Sequence, residues 1–282
     1  MAELVGSPAD VPDANVVYAL GRNAPESARL QRQADELAAD SRVLLERVAV
    51  RPGQSAIDFG CGPRGVLDLL AELVSPAGRV VGLDSDPLHT AMAGEFVAAR
   101  GLSGVEIVMA DARHTGLPPA SFDVVHARTL LINIPNPEQV VAEMSRLVRP
   151  GGWVVSMEPD TEHVLCYPPH PAFDRICEIF PAVYARNGAD PRMGRRVSEL
   201  FRQVGFEDIG VEARAQVYPP GSSRRTIRCD LVRSMRAQIL ELGLASEAEL
   251  DEWDASARAH LEDPCTVAMG GLLFLTWGRK RA

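Results

Sequence analysis

Three short apolar runs in the first half of the chain each carry an aspartate at or near their end. Ser55–Phe59 holds Asp58, Arg79–Asp84 closes on Asp84, and Val105–Asp111 closes on Asp111. The acids stand 26 and 27 residues apart, with an amphipathic stretch of helical spacing in each interval. Few folds accommodate such a beat. It reads as consecutive βα units, which impose a parallel sheet with right-handed crossovers. Between the first strand and its helix lie Gly60, Gly62 and Gly65. Glycines there let the backbone turn sharply and approach a ligand without a Cβ in the way. In an open α/β sheet this is where a nucleotide-like ligand meets a helix N-terminus.

The remaining elements extend the same pattern. Phe122–Arg128 reads as a fourth strand, Gln139–Val148 as a helix closed by Arg149-Pro150-Gly151-Gly152, and Trp153–Glu158 as a fifth strand. Before the sheet, Ala24–Val50 carries apolar residues at helical spacing and ends at Arg51-Pro52-Gly53. After it, Ala172–Tyr184 and Arg196–Val204 read as helices and Ile209–Val217 as a strand. Residues 222–263 read as largely helical, and Thr266–Trp277 as the last strand. The expected organisation is an N-terminal helical lid over 1–50 and one domain over 51–282. Insertions at about 161–195 and 222–263 interrupt it, at lengths typical of lids and binding elements.

Bulk properties exclude several functions. With 282 residues, 46% of them hydrophobic, the chain can bury one large core. A formal net charge of −9 argues against a general nucleic-acid binder. Lys280 is the only lysine, so Schiff-base and Walker-type chemistry have no lysine to use. Five scattered cysteines without a CxxC pair support neither a zinc site nor a disulfide framework. No run approaches a membrane span, and Met-Ala-Glu-Leu-Val-Gly-Ser-Pro lacks a secretory pattern, so a cytoplasmic protein is expected.

The three acids suggest what the crevice holds. Asp58, ahead of the glycines, would face a cation rather than a pyrophosphate. Asp84 can accept from both hydroxyls of a ribose. Asp111 can accept from the exocyclic amine of an adenine. Ammonium, ribose and adenine together describe S-adenosylmethionine.

The chain resembles a class I S-adenosylmethionine-dependent methyltransferase of the kind that modifies small molecules in bacteria. The matching pieces are Asp58-Phe59-Gly60-Cys61-Gly62, Gly82-Leu83-Asp84, Ala110-Asp111-Ala112, Phe122-Asp123-Val124-Val125 and Leu147-Val148-Arg149-Pro150-Gly151-Gly152, in family order and spacing. They span about residues 55–158. The resemblance implies a Rossmann-like, seven-stranded, mostly parallel sheet whose last strand is antiparallel. It implies cofactor contacts from Asp58, Gly60, Cys61, Gly62, Asp84, Ser85, Asp111, Ala112 and Arg128. The segment Tyr18-x-Leu20-Gly21, followed by Glu26, Arg29, Leu30 and Gln33, is similar to an N-terminal cofactor lid, which adds Tyr18 and Gln33. One departure is Arg64, where many members have glycine.

The expected reaction is methyl transfer to an O, N or C atom of a small organic acceptor of secondary-metabolite type, releasing S-adenosylhomocysteine. Catalytic candidates at the strand ends are His126, Glu158 and His163, as base or substrate contacts. Asp86 is expected to cap a helix instead. The arginine runs Arg192–Arg196 and Arg224–Arg228 read as solvated faces, or more sharply as recognition of an anionic acceptor. His163-x6-His170 is not a ligand spacing, so no metal is expected. Leu272–Trp277 and the N-terminal helix could support a homodimer. Two alternatives stand beside methyl transfer. One is the same fold without it, as a binding module or non-methylating enzyme. The other is a nicotinamide-dependent oxidoreductase, since Gly60-x-Gly62-x-x-Gly65 also satisfies that pattern.

Overall fold

The computed structural model describes residues 24–282. Helices α1 (Ala24–Glu36) and α2 (Ala38–Arg47) precede β1 (Ser55–Phe59), α3 (Leu67–Val74), β2 (Arg79–Asp84), α4 (Pro87–Arg100) and β3 (Val105–Met109). Then come β4 (Phe122–Arg128), α5 (Pro137–Leu147), β5 (Val148–Asp160), β6 (Leu165–Tyr167), α6 (Pro171–Arg186) and α7 (Met193–Gln203). The chain ends with β7 (Glu207–Arg214), β8 (Val217–Tyr218), α8 (Ile227–Ser234), α9 (Arg236–Glu241), α10 (Glu247–Glu262), β9 (Val267–Met269) and β10 (Leu272–Arg279).

Seven strands form one sheet in the order β3-β2-β1-β4-β5-β10-β7. The pairs from β3 to β5 are parallel. β10 runs antiparallel to both β5 and β7, as the resemblance implies for the last strand. The chain leaves β1 toward β2 and β3, then returns to the other side of β1 as β4. That reversal opens a crevice at the carboxyl ends of β1 and β4.

Both faces of the sheet are covered, which is why its strands read as nearly continuous apolar runs. Ile57, Phe59, Val81, Leu83, Val125 and Ala127 face one core, and Ala56, Val80, Val124 and Val155 the other. Each large side chain buried this way contributes about 1.5–3 kcal/mol.

Several expected elements are divided. The helix expected over Ala24–Val50 breaks at buried Leu37. α2 packs against β5 and β10, while Arg29, Leu30, Gln33 and Leu37 turn toward the crevice. The expected lid over 1–50 therefore contains both a cavity-facing helix and a piece of the core. The final strand breaks at Gly270-Gly271. A Cβ on Gly270 would lie 2.1 Å from the Tyr218 hydroxyl, and one on Gly271 would lie 2.3 Å from the Asp160 carbonyl oxygen. β9 thereby joins β6 and β8 in a second, three-stranded antiparallel sheet. That sheet continues β5, β7 and β10 beyond the carboxyl edge of the main sheet.

The insertions pack together, α6 against both α10 and α8. β10 is hydrogen-bonded on both edges and contacts α7 and α2, so the backbone edges of Leu272–Trp277 are taken within the sheet. No helix among the described residues is long and apolar enough to cross a membrane.

Candidate active site

A cavity of about 320 Å³ opens where the sheet reverses. One end is built from the βα turns, the other from α6, α8 and the small sheet. The turn after β1 has all three glycines at positive φ, namely Gly60 (+65°), Gly62 (+55°) and Gly65 (+53°). At Gly65 the requirement is also steric. A Cβ there would stand 2.1 Å from Asp58 Oδ2 and 2.8 Å from the Cys61 carbonyl oxygen. That close approach lets Asp58 Oδ2 accept from the Val66 amide at 3.0 Å, tying strand end to helix start. A Cβ on Gly62 would meet only Leu30, at 3.9 Å, and would project into the cavity.

The other acids continue along the crevice. Asp84 accepts from the Gly62 amide at 2.8 Å and the Asp86 amide at 2.9 Å. Burial holds its carboxyl above the usual range, and those two amides oppose the shift. Asp86 caps α4 through the Leu88 and His89 amides, the structural role expected of it. Asp111 pairs with Arg113 at 2.6 Å, which holds its carboxyl below the usual range. Cys61, Ser85 and Ala112 line the same end. Burial pushes the Cys61 thiol well up, so it serves as an apolar wall rather than a thiolate. Arg128 lines the cavity and donates to Ser41 Oγ at 3.0 Å and to the Gly65 carbonyl at 3.1 Å. Burial lowers its pKa to about 10. Gln33 reaches from α1 to Thr129 Oγ1 at 3.4 Å. Tyr18 lies outside the described residues.

Three residues here were not singled out from the sequence. His89 lines the cavity, and its buried Nε2 has no hydrogen-bond partner. Thr129 lines it too, at φ +50°, a costly conformation for a β-branched residue. Arg113 neutralises Asp111. The position of Arg64 is also explained. It bonds Asp35 on α1 at 2.5 Å and Asp68 on α3 at 2.8 Å, clamping the cavity-facing helix to the glycine turn.

The three catalytic candidates fall elsewhere, and none lines the cavity. His126 is fully buried; its Nδ1 meets Asp58 Oδ1 at 2.7 Å, so it holds the acid from behind. Glu158 is fully buried and accepts from the backbone amides of Leu130, Leu131 and Ile132. It anchors the loop after β4 instead of facing a substrate. His163 is on the surface beside Arg195, 3.4 Å away. Asp160, Glu162 and His163 bring possible ligand atoms within 4.8 Å of one another, but Arg195 bonds all three. A metal there would have to displace that cation.

Burial raises Glu158 from the ordinary 4.5 to about 7, outweighing its three amide donors. For a carboxyl raised on folding, the stabilisation is complete below its unfolded pKa and is lost as pH rises through the folded one. Glu158 should thus cost the fold about 3 kcal/mol between pH 5 and pH 8. Urea melts across that range should show a flatter pH profile for Glu158→Gln than for the parent. Identical slopes would remove Glu158 as the cause.

The two arginine runs separate cleanly. In the first, Arg195 pairs with Asp160 and Glu162, and Arg196 with Asp190 and Glu138, all outside the cavity. Their recognising an acceptor is not supported by this placement. In the second, Arg224, Arg225 and Arg228 all line the cavity. Around them this end of the cavity is mostly apolar, with Ile132, Ile134, Phe173, Phe180 and Leu231 in its wall. The Tyr184 hydroxyl there, bonded to Asn133 at 3.4 Å, is pushed up to about 12 by burial and is a poor base at neutral pH.

Comparison with known proteins agrees with this geometry. A family described as a methyltransferase domain matches residues 57–156. Demethylmenaquinone methyltransferase of Geobacillus kaustophilus is 30% identical over 181 residues, covering 60% of this chain and 77% of that one. Nocamycin O-methyltransferase of Saccharothrix syringae is 42% identical over 113 residues, 40% of either chain. An uncharacterized protein from a Streptomyces fradiae transposon is 34% identical over 165 residues, and the match spans 46% of its length. Among solved structures, a candidate methyltransferase from Bacillus halodurans has the same fold, at TM-score 0.58 and 19% identity, covering 86% of this chain and all of that one. This chain belongs to the class I S-adenosylmethionine-dependent methyltransferases.

Proposed function

We propose that the protein transfers a methyl group from S-adenosylmethionine to a small, predominantly apolar acceptor held beneath α6 and α8. The observation that carries this reading is a single continuous cavity. It joins a glycine turn and three acids at one end to a ring-lined apolar wall at the other. Two of the relatives named above are a demethylmenaquinone and a nocamycin methyltransferase, and both names are compatible with an apolar organic acceptor.

In this reading Asp84 accepts from the ribose hydroxyls, and Asp111 with Ala112 borders the adenine. Asp58, steadied by His126, faces the ammonium beside Gly60 and Gly62. Arg128 and Gln33 face the carboxylate, with Tyr18 as a further contact from the N-terminal segment. Cys61 and Ser85 close the walls. The bound cofactor supplies a methyl on a sulfonium, a leaving system that needs no further activation.

The work of the chain is alignment and exclusion of water. The loop Leu130–Ile132, fixed by Glu158, forms the floor between the two ends. Phe173 and Phe180 present flat apolar surface to the acceptor. Helix α1 and the insertions over 161–195 and 222–263 close the cavity, with Arg64 as the clamp on α1. The acceptor end offers Tyr184 and Tyr218 but no carboxylate or histidine among the described residues lining it, so positioning outranks general base catalysis.

The test is turnover with S-adenosylmethionine and a panel of reduced naphthoquinones, phenols and aromatic acids, read by mass spectrometry. One S-adenosylhomocysteine should form per methylated product. Product formation without S-adenosylhomocysteine would contradict the reading.

A further inference from the structure

Among the described residues, two buried guanidiniums at the acceptor end, Arg225 and Arg228, have no carboxylate partner, and of the two Arg225 is filled by backbone carbonyls while Arg228 is not. Arg228, on α8, is 5% exposed and lines the cavity. Its Nη2 donates to the Thr161 carbonyl at 2.8 Å. The guanidinium lies 4.0 Å from the centre of the Phe180 ring, and Phe180 stacks on Tyr184 at 4.6 Å. Burial lowers its pKa, and the groups opposing that are thiols and phenols, not acids.

The other arginines facing this space are engaged inside the protein. Arg225 donates to four backbone carbonyls, those of Leu261, Tyr218, Asp263 and Thr266. Arg224 pairs with Glu36 at 3.4 Å, and Arg29 with Glu26 at 2.7 Å. A guanidinium withdrawn from water without a countercharge is costly to the fold. Aromatic faces offset part of that cost and supply no charge. The planar fork of arginine suits a planar oxyanion, which it can hold through two parallel hydrogen bonds.

We propose that Arg228 recognises an anionic group on the acceptor, so that the substrate class is a flat apolar ring system bearing a carboxylate or a ring oxyanion. This rests on the methyltransferase reading of the same cavity. The ring system packs against Phe173 and Phe180, and its oxyanion takes the open side of the guanidinium. Selectivity then comes from charge at one edge of an otherwise apolar body.

The experiment is calorimetric titration of the full chain, saturated with S-adenosylhomocysteine, with 2-naphthoate and with 2-naphthylmethanol. The two probes share a ring system and differ in charge. Naphthoate should bind at least about tenfold tighter. Arg228→Gln should erase that preference and leave the affinities for naphthylmethanol and S-adenosylhomocysteine within about twofold. Arg228→Lys, which keeps charge but not the fork, should fall between. Should Arg228→Gln fail to fold, the parent's preference and the Arg228→Lys value still decide.

Equal binding of the probes, no naphthoate binding, or a preference that survives Arg228→Gln overturns the proposal. A fall in S-adenosylhomocysteine affinity on that substitution also overturns it, by assigning the cation to the cofactor. Failure of the parent to bind S-adenosylhomocysteine at all removes the methyltransferase reading itself.

Discussion

Replacing Gly65 with alanine should abolish cofactor binding in the range where the parent saturates, and lower stability by about 3 kcal/mol. Two causes add. The residue sits at φ +53°, and its new Cβ would stand 2.1 Å from Asp58 Oδ2. Relief requires Asp58 to move, which breaks its bonds to the Val66 amide and His126 together. In a chain of this size the melting temperature should fall by about 6–12 °C. Gly94→Ala is the control. Nothing lies within 4 Å of a Cβ there, and the site is helical, so that substitution should be neutral or stabilising by about 0.5–1 kcal/mol. If Gly65→Ala binds S-adenosylhomocysteine like the parent, the turn does not support the ligand in the way described.

The second large effect concerns Asp84. Alanine there removes the acceptor assigned to the ribose and frees the Gly62 and Asp86 amides it now holds. A hydrogen bond to a charged group contributes about 1.5–3 kcal/mol, so losing the ribose contacts should weaken S-adenosylhomocysteine about 100-fold or more. Asp84→Asn keeps an acceptor for the turn and should lose about tenfold. Calorimetry on both variants measures this directly. Affinities equal to the parent would place the ribose elsewhere.

What the sequence made legible was local. Apolar runs, helical spacing and glycines are written in consecutive residues, so the βα rhythm, the turn at Gly60–Gly65 and the acids Asp58, Asp84 and Asp111 could all be read. Side-chain reach was harder. His126 and Glu158 are near strand ends as expected, but how far along its strand a side chain stands decides whether it reaches the edge, and both are fully buried. His126 and Arg128 share a parity, yet only Arg128, two residues further along, reaches the cavity.

Long-range partners were not legible. The bond from Arg64 to Asp35 joins residues 29 apart, and that from Glu158 to the Leu130 amide joins residues 28 apart. The small sheet joins a piece of the insertion after β5 to two segments that read as ends of longer strands, because the glycine break at Gly270-Gly271 is dictated by Tyr218 and Asp160 packing onto it. The arginine runs show the same principle. Their sequences look alike, and only folding buries one in the cavity and leaves the other paired on the surface.

The central claim is that an adenosyl ligand occupies the crevice between β1 and β4 with its ribose on Asp84. A crystal structure of the protein grown with S-adenosylhomocysteine tests it most directly. The account predicts ribose hydroxyls within hydrogen-bond distance of Asp84, adenine beside Asp111 and Ala112, and sulfur facing the space below Phe173 and Phe180. Density for the ligand outside this cavity, or with the ribose away from Asp84, would contradict it.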